Sequence, residues 1–239
     1  MIKTMPCVRI KLTDTKPTIF DSKIGGLGYI PQDKNFPCDS QGNQLRLLAQ
    51  IDCSQVNLED FPKSGLLQFW VLNDEKYGSD FENPIKQDKF KIIYYSEIDK
   101  TVTEQEVFSK FVKNKYDNAN QNILLMEENH SMLFQSGVSI RVYFDEDEEF
   151  EDYEDKLKDE GYYHKIGGHL FSMPIDPKTR AENLEYDFLL FQIELELCLM
   201  PECCGRGYRY WNFNFFIKSE NLKKIDFSDV WYNCEILVG

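Results

Sequence analysis

Short apolar runs, several with a period of two residues, recur along the chain and set its architecture. Val8, Ile10 and Leu12 alternate with Arg9 and Lys11, the pattern of a half-buried strand. Residues 45–51 are almost continuously apolar between Gly42 and Asp52, which predicts a buried strand. Residues 66–72, 90–95, 138–144, 189–197, 211–217 and 230–238 read as further strands. The period changes over residues 101–116, where Thr103 and Glu106 form a capping-box pattern and Val107, Phe108, Phe111 and Val112 share one helical face. Residues 54–61, ended by Pro62, predict one or two helical turns and residues 222–225 a single turn, and residues 118–135 fit neither period.

The pattern occurs twice. Lys23-Ile24-Gly25-Gly26 returns as Lys165-Ile166-Gly167-Gly168, and Leu47-Leu48-Ala49-Gln50-Ile51-Asp52 returns as Leu189-Leu190-Phe191-Gln192-Ile193-Glu194. Both offsets are 142, since 167 − 25 and 192 − 50 are equal, so the intervening segments have equal length. Residues 65–71 match 211–217 at an offset of 146, which pairs Gln68 with Asn214 and places a four-residue insertion at 200–209. The expected fold is α+β and mainly β: one domain, 1–239, of two strand-rich pseudo-repeats, roughly 16–100 and 160–238. A helical and acidic segment, 101–159, joins them, and short helices complete the fold.

Composition adds limits. The formal charge of −14 is mostly local: residues 145–160 carry eleven acids and two lysines, net −9, leaving −5 elsewhere. This run reads as a solvated acidic helix or loop. Without a basic stripe, neither nucleic acid nor an anionic membrane is an expected partner. Seven scattered cysteines do not form a secreted disulfide framework, and residues 1–15 lack the apolar core of a signal peptide. The expectation is a cytoplasmic protein with reduced thiols.

The order of motifs resembles the YwqG-like family, the bacterial DUF1963 group. The residues that carry it are the Gly pair followed by Pro31, Leu48-Ala49-Gln50-Ile51-Asp52, Gly65-Leu66-Leu67-Gln68-Phe69-Trp70, Tyr77-Gly78 before Phe90, the second Gly pair, and Asn214-Phe215-Phe216-Ile217. The resemblance covers most of the chain. It implies a mainly β fold made by duplication and a bacterial, cytoplasmic protein, and it implies no activity. The family usually carries Trp-Gly-Asp before its last aromatic strand, where this chain reads Cys203-Cys204-Gly205-Arg206-Gly207-Tyr208.

Candidate chemistry is sparse. Cys198, Cys203 and Cys204 with His164 or His169 lack zinc-ligand spacing, and no nucleophile motif singles out a cysteine, so neither a metal nor a cofactor is expected. The glycines at 25, 26 and 28 lack the strand and helix of a phosphate loop. The repeated amides are more informative. Alternation places Leu48, Gln50 and Asp52 on one strand face and Leu47, Ala49 and Ile51 on the other, with Leu190, Gln192 and Glu194 following the same parity. A buried amide needs a fixed partner, either the chain itself or a ligand. The candidate binding residues are therefore Gly25, Gly26, Gln50, Gln68, Gly167, Gly168, Gln192 and Asn214. The expected function is a non-catalytic interaction module whose halves form a groove for a protein partner, such as a toxin or another polymorphic-system component. The alternative is a small-molecule binder or enzyme at the cleft between the halves.

Overall fold

The computed structural model describes residues 4–117, 130–140, 164–170, 185–196 and 209–238. Among them ten strands form one antiparallel sheet: β1 (Thr4–Thr13), β2 (Lys23–Ile24), β3 (Arg46–Asp52), β4 (Leu66–Val71), β5 (Phe90–Tyr95), β6 (His130–Ile140), β7 (Lys165–Gly167), β8 (Phe188–Glu196), β9 (Arg209–Ile217) and β10 (Val230–Val238). The order is β10-β9-β8-β7-β1-β6-β2-β3-β4-β5. β1 and β6 pair from Thr4↔Ile140 to Thr13↔Ser131 and form the centre. From that pair the sheet runs outward through β2 to β5 on one side and through β7 to β10 on the other. β1 borders β7 and β6 borders β2, so each central strand continues into the half that the other precedes in sequence. The segment read as a connector between the halves thus contains a central strand.

Aromatic and β-branched residues on the inner face curl the sheet around a common core. Phe69 of β4 lies 4.8 Å from Phe191 of β8 and 4.9 Å from Phe215 of β9 between ring centroids, and Phe215 stacks on Tyr232 at 4.4 Å. Rings fill the space between the inner faces, so the expected groove between the halves does not lie there. The connection from β4 to β5 straps the outermost strands together. Tyr232 N donates to Pro84 O at 2.9 Å, Tyr232 Oη to Tyr77 O at 2.8 Å, and Gln87 Nε2 to Phe227 O at 2.7 Å.

Strand parity differs from simple alternation at one point in each half. The register shifts between Leu47 and Ala49 and again between Leu189 and Phe191. A bulge inserts one residue and reverses the facing of all that precede it. Leu48 consequently packs with Ala49 and Ile51 in the inner core, whereas Leu47 packs with Trp70 on the outer face that also carries Gln50. Leu190 and Leu189 are corrected in the same way, Leu190 lying in the inner core and Leu189 beside Phe216 and Trp231.

The helices are shorter than their periodicity suggests. α1 covers only Glu104–Ser109, with the reciprocal Thr103–Glu106 capping box in place. Val107 is buried, but Phe108 and Val112 are exposed, because the chain leaves the helix before a second turn can align them. Residues 54–61 contribute only a 3₁₀ turn, Cys53–Gln55, and α2 spans Ser219–Lys223. The segment after α1 is held instead by Arg46, fully buried at the start of β3. Its guanidinium pairs with Asp117 and donates to Gln44 O, Leu45 O and Val112 O. With Val107, Phe111 and Tyr116 this covers the outer face of β3 and β4. The acidic run, Cys198, Cys203, Cys204 and residues 203–208 lie outside the described residues.

Candidate functional site

The outer face of the sheet carries one polar row in each half, at matching positions. In the first half Lys23 of β2 stands opposite Gln50 of β3, and Gln50 opposite Gln68 of β4. In the second half Lys165 of β7 stands opposite Gln192 of β8, and Gln192 opposite Asn214 of β9. All six are at most 2% exposed. The glycine pairs follow the lysines and turn the chain away from the sheet, with φ of 65° and 68° at Gly25 and Gly26 and 71° and 74° at Gly167 and Gly168. Only glycine adopts such angles at low cost. Space is limiting as well, since a Cβ on Gly168 would fall 2.5 Å from Ser139 Cβ. The eight sequence candidates therefore fall into two groups of four, on opposite sides of the central pair.

The first row is closed by the chain itself. Gln50 Oε1 accepts from Tyr29 N at 2.9 Å and from Gln68 Nε2 at 2.8 Å, while Gln50 Nε2 donates to Ile19 O and Asp21 O at 3.0 and 2.9 Å. Gln68 Nε2 also donates to Tyr29 O, and its Oε1 accepts from Trp70 Nε1. The two amides thereby latch the 19–29 loop to the sheet with their hydrogen-bonding capacity largely used. Gly28 lies directly over them, its Cβ position 3.1 Å from both Gln50 Oε1 and Gln68 Nε2. This half holds its own backbone where a ligand would otherwise sit.

The second row is longer and more polar. It begins at Arg9 of β1, opposite Lys165, and ends at Asn233 of β10, opposite Asn214. One residue pair along the strands, Glu194, Asn212 and Glu235 face one another across β8, β9 and β10. Gln192 Nε2 donates to Asn212 Oδ1 at 3.3 Å, and Asn233 Nδ2 to Glu235 Oε1 at 2.8 Å, so the two rows share one face. His164 Nδ1 accepts from Glu194 N at 3.2 Å. Asn214, fully buried, stands apart: among the described residues neither its Oδ1 nor its Nδ2 has a hydrogen-bond partner. The corresponding first-half positions opposite Gln68 and beyond are Ile93, Leu66 and Tyr95, which are apolar or aromatic.

Burial sets the electrostatics. It pushes the Lys23 ammonium down to about 8 against the opposing pull of Glu104 and Asp21, and the Lys165 ammonium down to about 8 against Cys7. The same burial raises the thiols of Cys7, Cys53 and Cys234, Cys53 to about 12, which leaves them protonated and poor nucleophiles at neutral pH. Among the described residues no three His, Cys, Asp or Glu side chains gather as a metal-holding group, and no helix is long and apolar enough to cross a membrane. An open concavity of about 720 Å³ lies on the β4–β5 connection. Its Asp74 and Asp80 are engaged in capping backbone N–H groups of their own turns.

Sequence reading passed over Lys23, Lys165, Asn212, Asn233 and Glu235. A signal was present for the first four. The lysines belong to the repeated tetrapeptide, and the asparagines alternate with aromatics in Trp211-Asn212-Phe213-Asn214-Phe215 and Trp231-Tyr232-Asn233. Polar residues recurring every second position of an aromatic strand mark a polar face rather than a solvent face.

No curated protein matches the chain. A family model described as "Domain of unknown function (DUF1963)" matches residues 22–235, from the start of β2 into β10, with β1 outside it. That span includes both polar rows, apart from Arg9, and the chain belongs to the DUF1963 family.

Proposed function

We propose that this protein is an internally duplicated, YwqG-like bacterial protein of the cytoplasm that acts by binding a protein partner rather than by catalysis. The duplication is supported by the strand order, which reads alike outward from the centre, and by the bulges at Leu48 and Leu190, 142 residues apart like the glycine pairs. Binding is supported by the four carboxamides of the matched rows, Gln50, Gln68, Gln192 and Asn214, which recognise donors and acceptors but neither ionise nor attack. Free Cys7, Cys38, Cys53 and Cys234 fit a reducing compartment.

The observation that carries the docking assignment is the outer face of the central pair. Over both flanking halves that face is mostly buried, whereas Lys11 of β1 and Leu133 and Gln135 of β6 are exposed on it, Leu133 at 58%. Arg9 and Lys11 make this strip cationic within an acidic protein. It therefore fits a partner that presents an apolar side chain ringed by carboxylates. The link to a toxin or polymorphic system belongs to this same proposal.

Replacing Leu133 and Lys11 together by glutamate tests it. Both side chains are exposed, and the two glutamates, which face each other across β1 and β6, should cost at most about 1 kcal/mol, a few degrees in Tm. A partner recovered in equal amounts with the parent from the source cells should be lost from the variant. Retention of that partner at parental levels would refute docking at the central pair.

A further inference from the structure

The polar row of the second half holds a feature that its first-half counterpart lacks, a fully buried carboxamide with no partner among the described residues, Asn214. A buried amide left in this state is costly, and such groups are commonly satisfied by a ligand or an ordered water. Its requirement is specific. The Nδ2 needs an acceptor and the Oδ1 beside it needs a donor, which is the complement offered by another amide.

The surroundings add charge at two distances. Lys165 lies two strands away across the row, about 10 Å at the backbone, and Glu194 and Glu235 flank Asn212 about 7 Å along the strand direction. Two peptide units span about 7 Å, and the long Lys165 side chain covers the remaining reach. We infer that this row binds a small zwitterionic peptide: its amide meets the Asn214 carboxamide, its carboxylate faces Lys165, and its ammonium faces Glu194 and Glu235. The first half has replaced such a ligand with its own 19–29 loop, whose Tyr29 N and O sit on Gln50 and Gln68 as a peptide's amide would. The peptide's partners, Asn214, Lys165, Glu194 and Glu235, include none of Lys11, Leu133 and Gln135 of the central pair, so either assignment can fail without the other.

Thermal denaturation with and without millimolar L-alanyl-L-glutamine, in the parent and in Asn214→Leu, tests this inference. The dipeptide should raise the parental Tm by about 3 °C or more, and the same peptide acetylated at its N-terminus and amidated at its C-terminus should shift it less. Asn214→Leu should melt at or above the parental temperature without ligand, because it removes an unmet amide, and should show no shift with the dipeptide. The side-chain amide signal of Asn214, found as the one missing from the Asn214→Leu spectrum, should move when dipeptide is added to the ¹⁵N-labelled parent. No shift in the parent overturns the inference, as does an equal shift in the variant or with the blocked peptide. A marked loss of Tm in Asn214→Leu without ligand also overturns it, since that amide would then be bonded within the fold as Gln50 is.

Discussion

Gln50→Leu should lower the free energy of unfolding by about 3–5 kcal/mol, read from urea denaturation at constant m-value. Leucine fills nearly the same volume but leaves two buried backbone groups, Tyr29 N and Ile19 O, and the part-buried Asp21 O without the partners that Gln50 supplies. Each orphaned group costs about 1–3 kcal/mol, and the loop cannot turn them to water without leaving Phe20, Tyr29 and Ile30 unpacked. A loss below about 1 kcal/mol would show that the 19–29 loop is held by its apolar side chains, and the amide latch would then be incidental. The contrast with Asn214→Leu gives the experiment its reach, because two register-equivalent rows should respond to the same kind of substitution with opposite sign.

That asymmetry was only partly legible in the sequence. Strand positions could be read because apolar runs bounded by glycine and aspartate allow few alternatives, and β5 and β10 coincide with residues 90–95 and 230–238. The offset of 142 led directly to Gln50 and Gln192, and each of these stands opposite a lysine, Lys23 and Lys165 respectively. Side-chain facing was misread at Leu47 and Leu48 because a bulge leaves no trace in the alternation of a run that is apolar throughout. The short α1 was overextended for a related reason. Phe108 and Val112 continue a helical period, but the buried Arg46 and its carbonyl partners draw the chain out of the helix, and that interaction spans 71 residues. Pairing of β1 with β7 and of β6 with β2 depends on contacts more distant still, and no local pattern records it. For the site, two glutamines in equivalent sequence contexts gave no indication that one half closes over its row and that the other carries an unmet amide.

Between pH 8 and 9 the two buried lysines should add about 2 kcal/mol of stability, of which the buried thiols should take back about half. Lys23 and Lys165 have their folded pKa pushed by burial from 10.5 to about 8. Above pH 8 the folded chain has released protons that the unfolded chain keeps until pH 10.5, so the unfolded state binds more protons and stability climbs with pH. As pH falls back through 8 the gain disappears, and each ammonium then costs about 3 kcal/mol relative to an unburied lysine. The rise has an upper limit. Cys7, Cys53 and Cys234 have raised folded values, so as pH approaches and passes 9 the unfolded thiols ionise first and stability falls with pH, offsetting the lysines. The raised tyrosines, Tyr95 at about 12 and Tyr232, add to that loss above pH 10. Lys23→Met separates the contributions, because methionine keeps most of the buried stem and removes the charge. At pH 7 it should stabilise the protein by about 3 kcal/mol, and it should remove about 1 kcal/mol, one of the two lysine contributions, from the change between pH 8 and 9. Equal stability of parent and variant at pH 7, with an unchanged pH profile, would show that the Lys23 ammonium is compensated in the folded state and that its place in the repeated tetrapeptide reflects a bonded charge.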